Sequence, residues 1–184
     1  MELNTQHLIL RPWQEKDSED LMTGLNDFQV SKWLAYIPYP YTLKDAKRWI
    51  DYCQNSGEDN ESSTYYEFAI VLKKKNKVIG GTGLDLIDLN QGISGGGGIW
   101  LNRKYHGLGY GKEAFGKRIE FAFKDLGLSK LENGFFPGNE ASWRMQESFG
   151  YKIETLIKEK YLCLADGKLK DEYHTVLLLK DWIF

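Results

Sequence analysis

The segment NRKYHGLGYGKEA, Asn102–Ala114, sets the tightest limit on what this chain can fold into. Glycines stand at alternate positions, Gly107, Gly109 and Gly111. Before them lies a short apolar run, Ile99 to Leu101. After them Phe115, Ile119, Ala122, Phe123 and Leu126 recur at helical spacing, and Gly127 supplies a stop. A strand must therefore end, turn sharply and open a helix inside this segment. Free amides at a helix start, reinforced by the macrodipole, make a site for phosphate oxygens. The alternative is a glycine-rich connector that binds nothing. Spacing argues against two well-known phosphate loops. The dinucleotide fingerprint wants a glycine where Lys112 stands, and the strand–helix alternation of a doubly wound sheet is absent. The P-loop needs glycine at His106 and Ser or Thr at Glu113, and has neither.

The rest of the chain reads as a mixture of helices and antiparallel strands. Leu8 to Leu10 form a first strand. Asp17 reads as an N-cap for a helix to about Gly24, with a short second piece between Asn26 and Trp33. Thr42 and Asp45 open a helix whose Ala46, Trp49, Ile50 and Cys53 share one face. Asn55 to Ser63 is a polar loop containing the sequon Asn60-Glu61-Ser62. Tyr66 to Leu72 and Val78 to Leu86 flank a charged turn and read as a hairpin. Gly80, Gly81 and Gly83 mark a bulge or a close backbone approach. Lys130 to Phe136 is a strand, Asn139 to Phe149 a helix, and Asp166-Gly167 turns a final hairpin between Thr155 to Leu164 and Glu172 to Leu179. The expected class is α+β in one domain, residues 1–184, with a core from about 7 to 180.

Charge and composition narrow the function. With 24 Lys plus Arg against 26 Asp plus Glu, a net charge of -2 argues against a general polyanion binder. The two cysteines, Cys53 and Cys163, have no histidine nearby at metal-ligand spacing and read as reduced, buried thiols. No signal-like start and no long apolar run appear, so a cytoplasmic protein without metal, membrane or nucleic-acid partner is expected.

Two blocks now carry a resemblance. YHGLGYGKEA resembles the cofactor signature of the GCN5-related N-acetyltransferase superfamily, Arg/Gln-x-x-Gly-x-Gly/Ala, in the form found in ribosomal-protein N-acetyltransferases of the RimJ/RimL type. NEASWRMQESFGY, Asn139–Tyr151, is similar to that family's second block, and the start LILRPW and the end KDWIF also resemble that subgroup. The resemblance implies a mostly antiparallel sheet with a central splayed strand pair, Gly98 to Leu101 and Lys130 to Phe136, and helices on both faces. It implies acetyl-CoA as co-substrate: Trp100, Leu101, His106, Gly107, Leu108, Gly109, Tyr110, Gly111, Lys112, Asn139 and Ser142 would hold it. A main-chain amide at Leu101 would polarise the thioester carbonyl, and Ser142 would give a proton to the sulfur.

The chain departs from the family pattern in three places. The loop's usual Arg or Gln is His106, the usual Tyr acid is Gln146, and the Glu found in some members five residues before the Asn is Gly134. Glu67, Asp85 and Glu132 are the remaining candidates for a base acting through water. The acceptor is expected to be a primary amine, held near the aromatic residues Trp33, Tyr36, Tyr39, Tyr41, Trp49 and Tyr52. Deprotonating an α-amine of pKa ~7.8 costs about 3.5 kcal/mol less than deprotonating a lysine of pKa ~10.4. A site without an obvious strong base therefore fits a protein N-terminus, in a monomer or homodimer. A small amine acceptor, or a CoA-binding protein without catalysis, is the alternative.

Overall fold

The computed structural model describes residues 1–55, 65–88, 92–94 and 96–183. The sequon and most of its polar loop, and Gly95 of the glycine run, lie outside them. Two short strands come first, β1 (Leu3–Asn4) and β2 (Leu8–Arg11), then helices α1 (Ser18–Leu25), α2 (Phe28–Ser31) and α3 (Leu43–Asn55). The expected hairpin is β3 (Tyr65–Leu72) and β4 (Lys77–Asp88). It is followed by β5 (Ile93–Ser94), β6 (Ile99–Leu101), α4 (Tyr110–Glu120), β7 (Lys130–Phe135) and α5 (Glu140–Glu147). A long hairpin, β8 (Lys152–Cys163) and β9 (Lys168–Leu178), closes the fold.

Among the described residues the sheet runs β1-β2-β3-β4-β5-β7-β9-β8, with β6 also on β4. Every pairing is antiparallel except β5 with β7. Side chains alternate across a strand, so β3 feeds two cores. Phe68, Ile70 and Leu72 face one side with Phe115 and Ile119 of α4. Ala69 and Val71 face the other with Leu21 and Leu25 of α1 and Ala46 and Ile50 of α3. Helices therefore cover both faces, as the resemblance implied.

Local chemistry explains the ends of the helices. Thr42 and Asp45 form the expected reciprocal cap, the Asp45 carboxylate accepting from the Thr42 amide and the Thr42 hydroxyl from the Asp45 amide. Asp17 stands at the N-cap of α1 but makes no side-chain cap bond. Its carboxylate instead accepts two bonds from the buried Arg11 guanidinium, at 2.7 and 2.9 Å, and one from the Gln14 amide. A bidentate charged pair outcompetes a single neutral amide. α4 begins one residue earlier than the glycine spacing suggests and ends in a wider π-helical turn, Phe121–Asp125.

The sheet opens at its centre. β5 pairs with β7 at Ile93↔Lys130 and Ser94↔Leu131. Beyond Gly96 and Gly97, both at positive φ, the chain leaves β7, and among the described residues β6 pairs with β4 alone. The guanidinium of Arg118, buried at 1 % exposure, donates from Nη1 to the carbonyls of Gly83 at 2.8 Å and Gly97 at 2.5 Å. That contact occupies a carbonyl at the point where β6 parts from β7. The gap corresponds to the splayed pair that the resemblance implied, with β6 one residue shorter at its start and β7 one residue shorter at its end.

Candidate functional site

The mouth of the gap is lined by the glycine loop. Gly107 and Gly109 have φ of +73° and +85°, and a Cβ built on either would meet no atom within 4 Å. Glycine is needed here for conformation rather than space. Gly109 is the N-cap of α4, and Glu113 is the first helical residue whose amide reaches a loop carbonyl, that of Gly109. Among the described residues the amides from Leu108 to Lys112 take no acceptor. Five donors at one helix N-terminus fit a diphosphate without a metal. Gly111 differs: a Cβ there would lie 3.4 Å from Leu101 Cδ1 and 3.9 Å from Met145 Sδ, ordinary van der Waals distances, so neither space nor conformation demands glycine at this position.

His106, though exposed, reaches back to β6. Its Nε2 lies 2.8 Å from the Leu101 carbonyl oxygen, so the ring nitrogen donates and pins the loop to the end of β6. Glu113 is also engaged, accepting from the Thr5 hydroxyl and from the amide and ring of His7, which tie the N-terminal segment to α4. Burial works against its charge, but the hydrogen bonds from Thr5 and His7 hold its carboxyl below the usual range. The sequence did not reveal this contact, since the partners are more than a hundred positions apart.

Alternation along β6 decides which groups face the gap. Gly83 donates to the Gly98 carbonyl and Asn102 to that of Ile79. Residues 98, 100 and 102 thus spend their main-chain groups on β4, leaving the amides of Ile99 and Leu101 toward the gap. Trp100, expected beside the cofactor, has its main chain on β4 opposite Gly81 and its ring against Gly24 and Gly81. Ile99 is the residue that sequence reasoning missed. Only the strand register identifies it.

The other bank is built by β7 and α5. Asn139 caps α5, its Oδ1 accepting from the Ser142 amide at 3.4 Å, while its Nδ2 has no partner among the described residues. Ser142 Oγ accepts from Gln146 Nε2 at 3.1 Å. The glycine loop, β6 and α5 converge at Gly111, which lies against Leu101 and Met145.

The α1 and α3 side of that opening carries carboxylates and rings. Glu67 on β3 and Asp85 on β4 share this face. The Glu67 carboxyl lies over Gly83 and has no hydrogen-bond partner among the described residues. Burial, and then the charge of Asp85, push Glu67 up to about 8. Burial likewise raises Asp85. Glu67, Gly83 and Gly98 lie in one row across the sheet, which sets Glu67 about 10 Å from the edge of the gap. A side chain on Gly98 would meet no atom within 4 Å, so the face is open there. Glu132 is held by Lys130 at 2.7 Å.

Of the aromatic residues, Tyr41 is core, while Tyr36, Tyr39 and Tyr52 are exposed. Tyr52 stacks on Tyr65 with ring centroids 5.8 Å apart. The segment after α2 bridges to the far bank, where the Ala35 carbonyl accepts from the Leu164 amide and the Lys32 and Leu34 carbonyls accept from the Cys163 thiol. Both cysteines are unpaired, and burial and Glu67 push the Cys53 thiol far up, which removes it as a nucleophile at neutral pH. Among the described residues there is no cluster of side chains able to hold a metal, and no helix long and apolar enough to cross a membrane.

Known proteins share this fold and match this sequence. The sequence model of the acetyltransferase (GNAT) domain matches residues 7–152. An uncharacterized N-acetyltransferase, p20, of Bacillus licheniformis is 28% identical over 180 residues, covering 98% of this chain and 97% of p20. Among solved structures, a GNAT-family acetyltransferase from Bacillus anthracis superposes with a TM-score of 0.80 at 22% identity, over 97% of this chain and 98% of that one. Spermidine N-acetyltransferase from Vibrio cholerae, solved with CoA and spermine, gives 0.77 at 16% identity, over 96% and 98% of the two chains. Ribosomal-protein-S5-alanine acetyltransferase from Vibrio fischeri also gives 0.77, at 19% identity over the whole of both. A glycine loop at a helix N-terminus, a split central sheet and a domain match over most of the sequence lead to one conclusion: the chain belongs to the GNAT family and is an acetyl-CoA-dependent N-acetyltransferase.

Proposed function

We propose that the chain acts as one catalytic domain that acetylates the α-amine of a protein N-terminus by direct transfer. The observation that carries this reading is the pairing of an unpaired strand edge with unclaimed helix amides around a single gap. The amides from Leu108 to Lys112 would hold the diphosphate, with His106 fixing the loop rather than touching phosphate. Ile99 and Leu101 would pair with the amide-rich arm as an added strand does, and Asn139 Nδ2 would donate to it. When bound, acetyl-CoA supplies the activated acyl group. The Leu101 amide would meet the carbonyl oxygen where negative charge develops, and Ser142 would donate its proton to the sulfur.

Glu67 is the base that the site supports best. A carboxyl with a pKa of about 8 matches an α-amine of pKa ~7.8, and one or more waters would carry the proton. No cysteine nucleophile is required, and the unpaired thiols fit a reducing cytoplasm.

A small polycationic amine is the second reading. The exposed rings on the acceptor face favour it, as does the likeness to a spermidine acetyltransferase. Thiol release from acetyl-CoA, followed across N-terminal peptides, N-blocked lysine peptides and polyamines, separates the two. Turnover of free N-termini at least tenfold above the other acceptors is expected. Preferential turnover of polyamines would transfer the assignment to the second reading, and rapid lysine acetylation would contradict the first.

A further inference from the structure

Gln146 stands where many relatives carry a tyrosine acid, yet it is buried at 1 % exposure and cannot give up a proton. Its carboxamide is fixed from three sides. Nε2 faces the Gly134 carbonyl at 3.4 Å, and a carbonyl only accepts, so the nitrogen must point that way. Oε1 therefore faces Thr175, itself wholly buried, whose hydroxyl donates to it at 2.6 Å. The same Nε2 then donates to Ser142 Oγ at 3.1 Å. The consequence falls on Ser142. With Gln146 acting only as donor toward it, the Ser142 proton cannot point into the core, and among the described residues it has no acceptor.

We propose that Gln146 is a positioning residue: held by Thr175 and Gly134, it occupies a lone pair of Ser142 and so aims the Ser142 proton outward to the sulfur of the coenzyme. In this chain the acid's usual position works through a serine one helical turn away, on the same face of α5. The inference rests on the reading of Ser142 as proton donor. A buried amide suits the task because its donor and acceptor ends are unlike, whereas a hydroxyl at 146 would rotate freely.

The test uses the full chain with Ser142→Ala, Gln146→Leu, Gln146→Glu and the double variant Ser142→Ala/Gln146→Leu. Two readouts apply: the single-turnover acetylation rate, and the pH at which bound CoA titrates, followed by thiolate ultraviolet absorbance. Ser142→Ala and Gln146→Leu are each expected to slow transfer about tenfold and to raise the titration point of the bound thiol, with no further loss in the double variant. Gln146→Glu nearly keeps the shape of the residue and guards against misfolding of the leucine variant. Once ionised it can only accept, so it turns the Ser142 proton inward. Its rate should be low at high pH and recover as the pH falls and the new carboxyl becomes a donor. A slow Ser142→Ala beside a Gln146→Leu or Gln146→Glu with wild-type rate, pH profile and thiol titration overturns the positioning role and leaves Ser142 standing. A wild-type Ser142→Ala overturns the donor reading itself.

Discussion

Glu67 shows how far a single residue's environment departs from its sequence context. In the sequence it is one acidic residue in an apolar strand, and nothing there separates it from Asp85 or Glu132. In the fold it faces Asp85 with no hydrogen-bond donor among the described residues, and burial, then the charge of Asp85, raises it to about 8. Between pH 4.5 and 8 the folded chain therefore holds a proton that the unfolded chain has released. Stability contributed by this group falls as pH rises through that window. Glu67→Gln should accordingly gain stability relative to the parent as pH is raised from 5 to 8, measured by urea denaturation. The same variant should lose the rise of kcat/KM toward pH 8 and fall by roughly 10²-fold above it, as expected for a lost general base. An unchanged pH–rate profile would remove Glu67 from the mechanism. The role of Gln146 was hidden for a related reason. Its departure from the family pattern could be read directly, but Gly134, Ser142 and Thr175 meet it only because β7, α5 and β9 are adjacent.

At the level of elements, strong local patterns were legible and weak ones were not. The β3–β4 and β8–β9 hairpins follow from alternating runs around short turns, and α4 from its apolar stripe. The two-residue strands β1 and β5 carry no such period and exist through their partners, β2 on one side and β4 with β7 on the other. The opening between β6 and β7 is likewise a property of neighbours. Arg118 looks in sequence like an ordinary helix cation, but its side chain crosses to the sheet, lies over Phe115 and binds the carbonyls of Gly83 and Gly97. Arg118→Met should leave those buried acceptors without a donor and cost about 2–4 kcal/mol in chemical denaturation. It should also speed hydrogen exchange at the β6 amides and weaken CoA binding together with them. A variant of unchanged stability and exchange would show that the glycines alone hold the gap open.

Across the whole molecule, the two sides of the opening differ in the charge they offer. The glycine loop brings free amides on one side, while the Glu67 and Asp85 carboxyls, both raised by burial, face the other. In the proposed reading the coenzyme diphosphate meets the amides, and the acceptor amine approaches from the carboxyl side and gives its proton to Glu67 through water. The family and the direction of transfer were readable from two ordered motifs, whereas the β6 edge had to wait for the strand register. The most direct test of this arrangement is titration calorimetry of the chain with CoA, set beside Gly109→Ala. Gly109 has φ +85°, so alanine there should cost about 1 kcal/mol of stability and place a methyl group among the loop amides. One equivalent of CoA bound by the parent, with at least tenfold weaker binding by a still-folded Gly109→Ala, is the predicted result. Absence of any binding heat with CoA or acetyl-CoA, or equal affinity in the two proteins, would contradict it.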